Sequence, residues 1–141
     1  MSKNSIEIEA PLETVTDLLA DIERYPTWST GIKSATIDEK DGSGRPVKVT
    51  SAIDAGVMKD KVTLDYDWSQ FPKAISFSLD DADLLTEMEG EITISGSDDG
   101  VRVEYELKVA LSLPVPAPMR EKTELATIDL FLKQLKDKAE A

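Results

Sequence analysis

Two carboxylates three residues apart, Glu121 and Glu124, fall on the apolar stripe of a C-terminal helical pattern instead of opposite it. A carboxyl group desolvated in such a place has a raised pKa, and Glu121 in particular would be able to serve as a base. The alternative is that the stripe simply emerges into water at the first helical turn, which is often solvated. Tyr66, Tyr105 and Arg120 are the other groups suited to proton transfer, and the sequence brings no two of these five together. The chain has no Cys and no His, which removes thiol nucleophiles, disulfides, Ser-His relays and the usual zinc and haem ligands. No oxygen-ligand loop for Mg or Ca is present. Ser97-Asp98-Asp99-Gly100 reads as a hairpin turn, and Gly42-Ser43-Gly44 is a turn between strands with no helix after it to make a phosphate site. No catalytic residue, metal or cofactor is therefore assigned.

The elements that position these residues follow from periodicity. Val101, Val103, Tyr105, Leu107, Val109, Leu111 and Leu113 occupy every second position, so one face of a long strand meets a core and the other meets water. Pro114, Pro116 and Pro118 end that strand. A helix over about 117–138 follows, with Leu125, Ile128, Phe131, Leu132 and Leu135 as its stripe, and Met119, Ala126 and Leu130 on its outer side. At the other end, Ile6 and Ile8 mark a short strand, and Pro11 starts a helix whose stripe is Val15, Leu18, Leu19 and Ile22. Tyr25 to Trp28 form a second short helix or turn that plugs one end. Five further alternating segments precede the strand at Val101. They lie near Ile32–Asp38, Val47–Ile53 (with Ser51 inward), Val62–Trp68, Ile75–Leu79 and Met88–Ile94. Their turns fall at Asp41–Gly44, Ala55-Gly56, Pro72-Lys73 and Ser97–Gly100. Gly90, inside a strand, predicts a bulge or sharp bend. The order strand, two helical pieces, six strands and long helix predicts an α+β fold with an antiparallel sheet in one domain spanning 1–141.

The segment SIEIEAPLETVTDLLADIERYPTW (5–28) resembles the opening of the polyketide cyclase/dehydrase and lipid-transport-like (SRPBCC) group. That group belongs to the START/Bet v 1 helix-grip superfamily. The matching features are the first strand, Ala10-Pro11 at the helix start, the Asp21 region and Tyr25-Pro26-x-Trp28. Seven strands and a long terminal helix match along nearly the whole chain. Thr16 departs from the pattern, since many relatives carry a large aromatic there. The resemblance implies a seven-stranded curved antiparallel sheet wrapped around the C-terminal helix, two short helices between strands 1 and 2, and an apolar cavity between sheet and helix. Alternation alone does not imply the cavity, because inward apolar residues look the same in a dry core and in a pocket wall. The candidate ligand-binding set is Tyr66, Trp68, Phe77, Met88, Tyr105, Leu125, Ile128 and Leu132, with Ser51 and Glu121 as polar members. Trp28, in a connecting element near the expected opening, is the candidate gate.

Three functions fit this reading. The first is binding or transport of a small hydrophobic molecule such as a lipid or polyketide, which needs no catalytic residue. The second is a polyketide aromatase/cyclase or dehydratase, which needs an acid or base inside the cavity. The third is an interaction protein of the ribosome-associated or quinone-binding type, as the resemblance allows. A net charge of −12 disfavours broad contact with nucleic acid or anionic membranes. No stretch reaches the roughly 20 apolar residues of a membrane span, and Met1–Ala10 is polar, so the expected location is the cytoplasm. The oligomeric state is left open.

Overall fold

Local alternation and β-branched residues make seven strands, and antiparallel pairing joins six of them in chain order. A computed structural model describes residues 1–55, 58–96, 100–112 and 115–141. The strands are β1 (Ser2–Ile8), β2 (Ile32–Lys40), β3 (Pro46–Ala55), β4 (Met58–Asp67), β5 (Ala74–Ala82), β6 (Leu85–Gly96) and β7 (Val101–Leu111). Helix α1 (Leu12–Ala20) and a short 3₁₀ helix (Ile22–Thr27) lie between β1 and β2, and α2 (Ala117–Glu140) ends the chain. The sheet order is β1-β7-β6-β5-β4-β3-β2, every pair antiparallel, so β1 returns to pair with the last strand. This is the helix-grip arrangement, a curved sheet closed over by one long helix. The expected strand through Leu113 ends at Leu111. Leu113, Pro114 and the turns at Gly56 and 97–99 lie outside the described residues.

The turn at Asp41–Gly44 forms as expected. The Asp41 carboxylate accepts the N–H groups of Ser43 and Arg45 at 2.8 and 3.0 Å, and Gly44 takes a φ of 82°, which favours glycine. At the β5–β6 corner the Asp60 carboxylate accepts four backbone N–H groups, from Lys61, Asp83, Leu84 and Leu85, at 2.8–3.2 Å. Burial alone would raise the pKa of Asp60. The N–H groups of Leu85, Leu84, Lys61 and Asp83 outweigh it and hold the carboxyl below its ordinary value.

Helix α2 is about 36 Å long at 1.5 Å per residue, and its contacts are one-sided. Along β1, Ser2 Oγ donates to Glu124 at 2.7 Å and the Asn4 amide donates to Asp129 at 2.7 Å. Lys136 Nζ donates to the Glu7 carbonyl at 2.9 Å, and Glu9 N donates to Glu140 at 2.9 Å. On the opposite flank the side-chain amide of Gln134 makes two 2.9 Å hydrogen bonds with Thr30. The two carboxylates of the stripe have parted. Glu121 is exposed, while Glu124 is only 2% exposed. The physical reason is the end of β1. Beyond Ser2 the N–H of Val109 on β7 has no strand to pair with, and Glu124 Oε2 accepts it at 2.8 Å. Glu121 lies one turn earlier, its carbonyl 3.5 Å from Ser2 Oγ and its side chain exposed.

Glu124→Ala leaves the buried Val109 N–H unpartnered and Ser2 Oγ with only the Glu121 carbonyl at 3.5 Å. It is expected to lower unfolding stability by about 2–3 kcal/mol in denaturant titrations, with Glu124→Gln recovering part of the loss. Because the pKa of Asp60 is depressed on folding, its contribution is complete above the unfolded aspartate value of about 3.9 and fades as pH falls below it. Acid titration of Asp60→Asn is therefore expected to show a shallower loss of stability below about pH 4 than the parent protein does.

Candidate functional site

One flank of α2 is pinned to β1 by several hydrogen bonds and the other is hydrogen-bonded to Thr30, and a gap opens between the helix and the β3–β5 half of the sheet. A cavity of about 70 Å³ occupies it. Its floor is made by inward-facing residues of five consecutive sheet neighbours: Ser51 and Ile53 on β3, Leu64 and Tyr66 on β4, Phe77 on β5, Met88 and Ile92 on β6, and Tyr105 on β7. Thr127, Leu130 and Phe131 of α2 form the roof. Tyr25, Ser29, Gly31 and Ile32 close the end nearest the 3₁₀ helix. Leu130 is both part of the wall and 36% exposed, so it stands at the rim.

Among the described residues no Asp, Glu, Lys or Arg lines this cavity. Its polar groups are hydroxyls. Tyr25 OH donates to the Leu19 carbonyl at 2.5 Å and Thr127 Oγ1 to the Thr123 carbonyl at 2.9 Å, so both are committed to the protein. Ser29, Ser51, Tyr66 and Tyr105 bring four further hydroxyls to the wall. Burial pushes the tyrosine hydroxyls up, Tyr66 and Tyr105 well beyond the ordinary phenol value, so they stay protonated and neutral at physiological pH.

The aromatic residues are organised around the same space. The two Trp, three Tyr and three Phe of the chain form one unbroken series of ring contacts. It starts with Phe71 and Trp68 outside the cavity, and passes along the floor through Tyr66, Phe77 and Tyr105. It then crosses to Phe131 on α2 and ends at Tyr25 and Trp28. Edge-to-face geometry dominates, as the ring quadrupoles favour.

Of the residues put forward from sequence, Ser51, Tyr66, Phe77, Met88 and Tyr105 line the cavity. The others do not. Trp68 has inward parity but follows the last residue of β4. Its indole N–H donates to the Pro46 carbonyl at 2.7 Å, and Arg45 lies 5.3 Å from its ring in an open surface groove. Trp28, the candidate gate, lies behind the wall and not in it, its ring 5.3 Å from that of Tyr25 and 5.1 Å from that of Phe131. Ile128 and Leu132 are buried in the packed part of the helix–sheet interface. Glu121 is exposed, and Leu125, 38% exposed, sits on the flank that looks past the end of β1. Conversely, Leu130, expected on the outer side, belongs to the cavity wall together with Thr127 and Phe131. The signal that identifies this edge is the row Thr127, Leu130, Phe131 and Gln134 at i, i+3, i+4 and i+7, which faces the loop at Thr30.

Among the described residues no group of acidic side chains is arranged to hold a metal ion, and no helix is long and apolar enough to cross a membrane. No curated protein matches the chain in sequence. Solved structures do match in fold. A START superfamily protein from Mycobacterium smegmatis is 26% identical, with 98% of this chain and 95% of that one covered and a TM-score of 0.91. The ZhuI aromatase/cyclase from Streptomyces sp. R1128 is 14% identical over 98% and 92% of the two chains, with a TM-score of 0.79. Ginseng major latex-like protein 151 from Panax ginseng is 9% identical over 99% and 96%, with a TM-score of 0.76. The family model for polyketide cyclase / dehydrase and lipid transport matches residues 2–140. With the grip of sheet on helix and the enclosed apolar space both in place, the chain belongs to that polyketide cyclase / dehydrase and lipid transport family.

Proposed function

We propose that this protein binds, and by releasing it elsewhere carries, a small, neutral, mainly apolar molecule held between the sheet and α2. The observation that carries this reading is the make-up of the cavity wall. It is apolar and aromatic, among the described residues it contains no charged side chain, and it offers the hydroxyls of Ser29, Ser51, Tyr66 and Tyr105. Such a wall rewards burial of a hydrocarbon or aromatic body and orients it through one or two oxygen atoms. A charged ligand would be desolvated there without a counter-charge, which is strongly unfavourable.

The volume sets the size class. At about 70 Å³ the cavity holds a compact molecule of a few heavy atoms, well short of the roughly 300–1,000 Å³ of a drug-sized site. A longer lipid or polyketide would require the rim at Leu130 and Ile32 to move outward. The aromatase/cyclase named among the structural relatives suggests catalysis as a second reading, but nothing in this wall favours it. The carboxylates the sequence offered as bases, Glu121 and Glu124, do not line the cavity, and the tyrosines that do are held neutral by burial.

Thermal-shift and native mass-spectrometry screens with neutral apolar compounds are expected to find ligands that raise Tm, whereas their carboxylate analogues do not. A screen in which neither method detects any neutral ligand refutes the proposal. Affinity is expected to be flat between about pH 5 and 9, because no wall residue changes charge in that range. A sigmoidal or bell-shaped dependence would point to a charged group in the site and revive the catalytic reading. Tyr105→Phe is expected to weaken oxygen-bearing ligands about 3–10-fold in isothermal titration while leaving pure hydrocarbons unchanged, the loss of one hydrogen bond.

A further inference from the structure

Gly90 is a glycine in the interior of β6, yet there is no bulge at it. Its pairing with Phe77 on β5 and with Leu107 on β7 is in regular register on both sides. The expected bulge is therefore absent at Gly90, and the reason for glycine is a side chain on the neighbouring strand. A Cβ on Gly90 would lie 2.2 Å from Phe77 Cζ, 2.5 Å from Cε1 and 2.9 Å from Cε2. The phenyl ring thus lies flat across the β6 backbone, in the space a side chain would fill. The same ring forms part of the cavity floor.

We infer that Gly90 is the specificity-determining position of this site: by seating the ring of Phe77 against the β6 backbone it sets the depth of the cavity and so the largest molecule that fits. This rests on the ligand-binding reading above. An added methyl at residue 90 must push the ring from 2.2 Å to ordinary contact at roughly 3.5–4.0 Å, a displacement of more than 1 Å. Tyr66 and Tyr105 flank the ring, with centroids at 5.6 and 6.4 Å, and the β6 backbone lies beneath it. The open direction is the cavity. A cavity of about 70 Å³ has little volume to surrender, so the ring takes the space a ligand would occupy.

Xenon, which enters dry apolar cavities of modest size, tests this by ¹²⁹Xe NMR on the parent protein and three variants. Gly90→Ala is expected to melt within about 3 °C of the parent or above it, since alanine also narrows the unfolded ensemble, while xenon affinity falls at least about tenfold. Phe77→Leu in the Gly90→Ala background, which shortens the displaced side chain, is expected to restore affinity to within about threefold of the parent. Phe77→Leu alone is expected to admit a bulkier neutral probe, N-phenyl-1-naphthylamine, followed by its fluorescence, more tightly than the parent does. Parent-like xenon binding in Gly90→Ala overturns the inference. So does a loss that Phe77→Leu fails to reverse, or a Gly90→Ala protein that does not fold, because each means the ring does not yield into the cavity. Xenon entering the parent while no organic ligand is ever found would refute the ligand-binding reading and leave the role of Gly90 standing.

Discussion

The way α2 is fixed chiefly along its β1 flank governs the rest of this structure. Ser2, Asn4, Glu7 and Glu9 of β1 and its edge hold Glu124, Asp129, Lys136 and Glu140 of the helix at hydrogen-bond distance. Glu124 does the most demanding part, because it is buried and completes the hydrogen bonding of β7 where β1 stops. A buried carboxylate is costly unless every lone pair is used. The position of α2 is therefore specified to within a hydrogen bond along β1, and the helix cannot roll toward β3 to fill the gap on its other side. The cavity is what that fixed placement leaves over.

The aromatic residues show how such a gap avoids collapse. Large rings reach across it from the floor at Tyr66, Phe77 and Tyr105 to the roof at Phe131, Tyr66 tilted against Phe77 and the later pairs edge-on. The series is anchored at both ends by groups outside the cavity. Arg45 lies over Phe71 and Trp68 at 4.4 and 5.3 Å, and Tyr25 is tied to the Leu19 carbonyl beneath Trp28. Rigid rings propped against one another keep a small space open that flexible aliphatic side chains would close.

Charge is distributed in the opposite sense. With a formal net charge of −12, the chain has no ionised group among the described residues of the cavity wall and puts several carboxylates to structural use elsewhere. Asp41 and Asp60 organise hairpin turns by accepting backbone N–H groups, and Glu124 caps a strand edge. Lys48 bridges Asp65 and Asp80 on the outer face of the sheet. The acidic composition thus organises turns and a strand edge while the interior stays neutral.

The strands and both ends of the fold were legible along the chain because alternation and helical spacing are local. Val101 to Leu111 needs no partner to declare its two faces, and inward parity puts Ser51, Tyr66, Phe77, Met88 and Tyr105 on the face that lines the cavity floor. The roof was not legible in the same way. Leu125, Ile128 and Leu132 on one side, and Thr127, Leu130 and Phe131 on the other, belong to overlapping helical stripes. Which of them meets the cavity depends on the rotation imposed by hydrogen bonds to β1, more than a hundred residues distant in sequence. Trp68 has the right parity but falls just beyond the strand that would have carried it inward. Gly90 reads locally as a break in a strand, and its reason is a phenyl ring on another strand that only register brings over it. Periodicity along one segment defines faces. Where those faces come to rest, and what space is left between them, is set by contacts between segments that no single segment encodes.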